Sequence, residues 1–253
     1  MIVWLVLAPE ADEAARWAAE RLPGAGLDPL CLVTDADLAG AVWEHRLDDD
    51  GVATRLTLAD GRLLASSEVE GTLNRLIQAP AGLMMALLPA DRDYAFQEFS
   101  ALFLSWLASL PGPVLNPPGT RGLGGAWRSP TEWAVLAAEA GVPFAPVTFD
   151  STDEGPDADA WRAWPPYAPI EEDVIVVGEA VFAREPLDEA ALAAYRCLTR
   201  RAGTPILGIA SAGAAGGGPR AAAAMTPLPD LRAGGDELIA ALAAALRGGG
   251  DTP

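Results

Sequence analysis

The sequence predicts an α/β fold, and three observations carry that reading. Ile2 to Ala8 is an unbroken apolar run, as expected of a strand covered on both faces. Glu10 to Arg21 follows with acidic residues in its first turn and arginines toward its end, which suits a helix dipole. Pro23-Gly24 stops that stretch, and Pro29 to Val33 makes a second apolar run, completing a β-α-β opening.

The elements that follow alternate in the same way. Ala41 to Leu47, Val52 to Leu58 and Arg62 to Ala65 alternate as strands, with Asp60-Gly61 as a hairpin signal. Asp93 to Leu110 places Phe99, Leu102, Phe103, Trp106, Leu107 and Leu110 at helical spacing. Pro111-Gly112 ends that helix ahead of a short strand at Val114-Leu115. Gly119 to Arg128 is a glycine-rich loop. Ser129-Pro130-Thr131-Glu132 then matches a capping box with proline at the first helical position, opening a helix to Ala140. Phe149 to Pro169 is acidic, proline-rich and aromatic without periodicity, and is expected to be a linker or loop. Val174 to Val177 and Ala180 to Ala183 flank Gly178-Glu179, a type II′ hairpin pattern. Leu187 to Leu198 is amphipathic, Ile206 to Ile209 reads as a buried strand, and Ala212 to Gly218 as a loop. Asp236 to Arg247 is a closing helix, and Gly248 to Pro253 a frayed tail.

Composition narrows the functional classes. The 253 residues include no lysine; all 17 basic residues are arginine, against 35 acidic ones. The formal charge of −18 repels polyphosphate backbones and anionic lipid surfaces, so neither nucleic acid nor membrane is an expected partner. No run of about 18 apolar residues is present to span a bilayer. Cys31 and Cys197 lie far apart with no metal-ligand spacing, which fits reduced thiols in a cytoplasmic protein. Without lysine there is no Schiff-base chemistry and no ammonium to grip a phosphate.

Six short segments, in order, resemble the ATP-grasp superfamily, above all its peptide-ligating and peptide-modifying members. They are Val69 to Arg75, ending in Asn74-Arg75; Tyr94 with Glu98, followed by Ser105-Trp106-Leu107 and Pro113 to Pro117; Trp133 to Val147, with Ala140 to Pro146 at its end; Asp173 to Ala183; Ile206 to Ile209; and Met225 to Asp230. The resemblance implies an N-terminal Rossmann-like (pre-ATP-grasp) domain over residues 1–118 and a connecting region over 119–165. A shortened ATP-grasp-like C-terminal domain follows over 166–253. It also implies a lysine-bearing strand, a lid subdomain and Mg²⁺ carboxylates on the last two strands. On this sequence the metal positions fall on Ala210, Ala224 and Thr226. Two alanines offer none of the hard oxygen ligands that Mg²⁺ takes, and phosphoryl transfer rests on such electrostatics. Residues 150–169 are too few for the lid and hold no lysine.

Other constellations each have a structural alternative. Gly119-Thr-Arg-Gly-Leu-Gly-Gly125, with Arg121 and Arg128, is either an anion cradle or a flexible connection. His45 is the sole histidine, beside Trp43 on an alternating strand, where a structural role outweighs a catalytic one. Tyr94 and Glu98 lie one helical turn apart; an Arg75–Glu98 pair either braces the N-terminal domain or lines a cleft for a carboxylate ligand. Trp127 and Trp133 flank the connection, and Trp161 and Trp164 are candidate partner-binding anchors.

The expectation is therefore a degenerate ATP-grasp-like protein without ATP turnover, using no cofactor and no metal. It binds a partner enzyme or a peptide or amino-acid substrate in peptide natural product biosynthesis. The candidate ligand-binding residues are Asn74, Arg75, Tyr94, Glu98, Asn116, Arg121 and Arg128; no residue is assigned a catalytic role. A homodimer is left open. The alternatives are an ATP-grasp-type carbon-nitrogen ligase with arginines in place of lysines, and a nucleotide-independent small-molecule enzyme in the N-terminal cleft.

Overall fold

The computed structural model of the chain describes residues 2–49, 51–80, 82, 87–147, 172–214 and 218–248. The N-terminal elements are β1 (Val3–Ala8), α1 (Glu13–Arg21), β2 (Leu30–Thr34), α2 (Asp35–Gly40), β3 (Val42–Asp48), β4 (Gly51–Thr57), β5 (Leu63–Ala65) and β6 (Val69–Asn74). There follow α3 (Arg92–Ala108), β7 (Val114–Leu115), α4 (Pro130–Ala140), β8 (Val174–Val177), β9 (Ala180–Ala183), α5 (Glu189–Ala202), β10 (Ile206–Ala214), β11 (Gly218–Thr226) and α6 (Gly235–Leu246). They form a parallel sheet β2-β1-β6-β7, an antiparallel sheet β11-β10-β8-β9 and a small antiparallel sheet β3-β4-β5.

The apolar run of β1 explains the layering. Side chains alternate across a strand, so Trp4, Val6 and Ala8 face one side of the parallel sheet and Leu5 and Leu7 the other. The first set packs on Ala14, Ala15 and Ala18 of α1 and on Leu238, Leu242 and Leu246 of α6. The second packs on Phe103, Trp106 and Leu107 of α3 and on Leu56 and Leu64 of the small sheet. Trp43 stacks into this second layer, 4.9 Å from Phe103 and 5.1 Å from Trp106 between ring centroids. Covering both faces of a buried strand is the main favourable contribution here, about 1.5–3 kcal/mol for each large apolar side chain.

The same alternation in β8 joins the two large sheets. Ile175 and Val177 belong with Leu73, Leu115 and the α6 leucines, whereas Val174 and Val176 face Trp133 and Ala137 of α4 and Leu198 and Ala202 of α5. Helix α6 is thus shared, touching β6 and β7 of one sheet and β8 and β9 of the other. The C-terminal helix closes the core that the first strand opens.

Local signals hold where sequence chemistry is strong. Ser129 caps α4 with the reciprocal Glu132 bond and Pro130 inside the first turn. Gly141 ends that helix at φ 78°, a left-handed position that suits glycine. The expected loop at Ala212 to Gly218 is corrected at its ends, since β10 reaches Ala214 and β11 starts at Gly218, paired Ala212↔Ala221 and Ala214↔Gly218; residues 215–217 lie outside the described residues. Ladder hydrogen bonds to a neighbouring strand outweigh the low strand preference of Ala and Gly. Helix α2 was not expected; its signal is the capping box between Thr34 and Asp37. The region expected as a linker, with Trp161 and Trp164, lies outside the described residues, as does the tail from 249. No helix among the described residues is long and apolar enough to cross a membrane.

Candidate functional site

Strand order 2-1-6 reverses direction between β1 and β6, and in open α/β sheets such a switch point leaves a crevice at the carboxyl ends of the strands. A cleft of about 890 Å³ lies there. One wall is the β1–α1 turn with Asp12 and Glu13, together with Arg75 just after β6. The other is the end of β11, from Ala223 to Thr226, and the turn that follows it through Asp230. Trp127, Arg128 and Trp133 close one end, with Phe144, Glu172 and Arg184 nearby.

Arg75 organises the floor. Its Nε donates to Asp12 Oδ2 at 2.7 Å, and its Nη1 donates to the Pro229 carbonyl at 3.1 Å. The side chains are 4% and 13% exposed, so this is a buried charge pair. Asp12 also caps α1 by accepting from the Ala15 amide. The Arg75–Glu98 pair expected from sequence is therefore corrected. Glu98 and Tyr94 stand exposed on α3 and do not line the cleft, while the N-cap carboxylate one strand away meets the guanidinium.

The other carboxylates of the cleft are held in distinct ways. Arg232 donates to Asp230 at 2.8 Å and to Glu13 at 2.6 Å. Its hydrogen bond to Asp230 pulls that carboxyl below its usual range. Glu172 is 7% exposed, and its Oε1 accepts the Asp230 amide at 3.4 Å. Burial, only partly offset by backbone hydrogen bonds from its own and the Asp230 amide, pushes its carboxyl up.

Asn74 and Asn116 are fully buried and structural. Asn74 Nδ2 donates to the carbonyls of Asn116 and Leu123 at 3.0 and 2.5 Å, and Asn116 Nδ2 donates to Pro227 O at 2.7 Å. Asn116 holds φ 61°, the left-handed region that asparagine tolerates best after glycine. Together they tie the ends of β6 and β7 to the glycine-rich loop and to the turn after β11.

The glycine-rich loop packs against protein. A Cβ on Gly124 would stand 2.6 Å from Leu76 O, and Gly119 and Gly122 bond each other. Arg121 is paired with Glu132 and is absent from the cleft lining. Arg128 does line it: its guanidinium donates to Ala202 O at 2.8 Å and lies 5.4 Å over the Trp133 ring. Burial and the nearby Arg121 charge lower its proton affinity. Arg75 and Arg128 are thus the candidates that share this cleft. Asp12, Glu172, Arg184 and Arg232 belong to it too and were not singled out from sequence; the switch point after β1 and β6 is the signal that finds Asp12.

Among the described residues, the carboxylates of the cleft are already engaged or buried. Ala210 stands directly opposite Ala224 in the β10–β11 register, at the two positions where the family resemblance calls for carboxylates. Asp12, Glu13 and Asp230 are engaged by arginines, and Glu172 is buried with a raised pKa. No group of three His, Cys, Asp or Glu side chains among the described residues is placed to hold a metal ion.

The arrangement of sheets and helices matches the fold of solved ATP-grasp ligases. Among solved structures, the chain is similar to the macrocyclase MdnC bound with precursor peptide MdnA from Microcystis aeruginosa MRC. The TM-score is 0.71 at 12% identity, over 97% of this chain and 99% of that one. It is likewise similar to a Chryseobacterium gregarium RiPP-associated ATP-grasp ligase in complex with ADP and a leader and core peptide. There the TM-score is 0.71 at 11% identity, over 100% and 98% of the chains. Macrocyclase MdnB of Microcystis aeruginosa MRC matches at TM-score 0.61 and 16% identity, over 97% and 99%. No protein-family profile and no curated protein matches the sequence.

Proposed function

We propose that this chain is an ATP-grasp-fold protein that binds a peptide in the cleft between β6 and β11, within peptide natural product biosynthesis, without turning over ATP. The observation that carries the reading is Ala210 facing Ala224 across β10 and β11 beside that cleft, in a sequence with no lysine. Similar structures are complexed with precursor, leader or core peptides, which supports a peptide as the ligand class. Trp127, Trp133 and Phe144 offer apolar walls and Arg128 a cationic one, a mixture that suits an extended peptide with alternating side chains. A partner enzyme is the other ligand consistent with this reading.

The test uses a synthetic precursor peptide of the kind bound in the similar structures. Without nucleotide it quenches tryptophan fluorescence saturably. Binding that appears only when Mg-ATP is added, or no binding at all, overturns the proposal. A second reading is favoured by the four arginines of the cleft, Arg75, Arg128, Arg184 and Arg232: a carbon-nitrogen ligase in which arginine carries the phosphates. ATP hydrolysis that disappears in the Arg128→Ala variant would support this second reading.

A further inference from the structure

The cleft touches Ala223, Ala224, Met225 and Thr226 of β11 in succession. Successive side chains of a strand point to opposite faces, so a cleft lined by all four borders the edge of the strand, not one of its faces. Among the described strands β11 is the outermost of its sheet and pairs with β10 alone. The ladder fixes which backbone groups point outward. Ile209 O accepts the Asp173 amide at 2.8 Å, so the backbone groups of Ile209 face β8 and turn away from β11. Ile209 stands opposite Met225, which makes these two an antiparallel pair without mutual hydrogen bonds. The N–H and C=O of Met225 therefore point to the outer edge, whereas those of Ala224 and Thr226 face Ala210 and Gly208.

The neighbouring stretch of this edge already pairs with an extended segment. Ala222 N donates to Pro143 O at 2.8 Å and Ala145 N donates to Ala222 O at 2.7 Å, a parallel bridge at Phe144. The bridge stops there. Ser211 pairs with Ala222 and Ala210 with Ala224, so Ala223 is an extra residue in β11. Such a bulge bends its strand and ends regular pairing, and Pro146 brings no N–H to continue it. Met225 is 9% exposed, and its backbone N–H and C=O have no hydrogen-bond partner among the described residues. Backbone groups this deeply placed are nearly always paired.

We propose that an extended peptide segment adds to this edge as a further strand at Met225. One peptide amide donates to the Met225 carbonyl, and one peptide carbonyl accepts the Met225 N–H. The inference deepens the peptide reading above and rests on it. In strand addition the main chain supplies binding, and pockets on either side read alternate side chains. Here the two sides differ in chemistry. The Met225 side chain packs with Trp133 and Phe144, an apolar side, whereas Thr226 lies with Glu172 and Pro229 around Gly208, at the polar floor. The segment that fits has apolar side chains at every second residue on the Met225 side. It has no proline at the paired position, because the contact needs an N–H.

Met225 is the one methionine of the sequence preceded by alanine. Isotopic labels on alanine carbonyls and methionine amides therefore give a single amide-to-carbonyl correlation in the NMR spectrum of the full chain, with no substitution. In the free chain this amide exchanges readily with solvent. The synthetic precursor peptide shifts its resonance and slows its exchange on the order of tenfold or more. A second arm replaces each amide of the peptide in turn by an ester, which removes one N–H. The ester at the residue facing Met225 weakens binding, read by tryptophan quenching, roughly two- to tenfold, the net worth of one hydrogen bond. A Met225 amide already protected in the free chain means that another part of the chain fills the edge, and overturns the proposal. So does an amide that the bound peptide leaves unchanged, or an ester series with no sensitive position. These outcomes leave the peptide reading standing, whereas an unmodified peptide that does not quench at all removes that reading and the strand addition with it.

Discussion

Arg75 and Asp12 meet at 2.7 Å at the switch point of the parallel sheet, and the pair joins three parts of the molecule. Asp12 caps α1, Arg75 ends β6, and the guanidinium also holds the Pro229 carbonyl on the turn after β11. The floor of the cleft is therefore built on a charge pair, and its stability follows from its burial.

Removing one member of a buried pair leaves the other uncompensated. Arg75→Met is expected to cost about 3–5 kcal/mol, read as a lower urea midpoint with an unchanged slope. A loss below about 1 kcal/mol, the worth of an exposed pair, would contradict the burial of this one.

Glu172 sets a pH dependence of definite sign. A carboxyl whose proton is held more tightly in the fold stabilises it below its unfolded pKa, about 4.3. That contribution fades as pH rises through the higher folded value. Asp230, depressed by Arg232, works oppositely and loses its contribution in acid. Glu172→Gln keeps an acceptor for the Asp230 amide and does not ionise. It is expected to melt above wild type at neutral pH, with the gap narrowing toward about pH 4. A gap that is constant with pH, in thermal melts, would contradict this assignment.

Gly124 is small because a backbone carbonyl fills the space where a side chain would start. Gly124→Ala must displace the loop and the Leu123 carbonyl that Asn74 holds. About 1–3 kcal/mol of destabilisation is expected, measured by chemical denaturation. Gly119→Ala, where nothing lies within 4 Å of the added carbon, serves as the mild control.

Peptide binding should follow the cleft and not the wider set of residues that sequence suggested. Arg128→Ala is expected to weaken the peptide's affinity on the order of tenfold, whereas Tyr94→Ala and Glu98→Ala leave it unchanged. Fluorescence titration of the three variants checks this. Equal losses in all three would move the site onto α3.

How much of this was legible in the sequence depended on the range of the interaction. The strand of Val3–Ala8, the capping box at Ser129 and the glycine stop at Gly141 are local and were readable. So was the order of the six family-like segments. Asn74, Arg75 and Asn116 were readable as candidate residues, but their roles were not, because their partners lie up to 154 residues away, as with Arg75 and Pro229. Glu98 looked a natural partner for Arg75 from its residue type, yet strand order placed Asp12 there instead. Ala212 to Ala214 looked like loop because their composition is poor for strands, and only pairing with β11 makes them strand.

The most direct test of the central claim is calorimetric titration of the purified chain with Mg-ATP, in parallel with a synthetic precursor peptide. The account predicts saturable heat from the peptide alone and none from Mg-ATP up to millimolar concentration. Micromolar binding of Mg-ATP would contradict it.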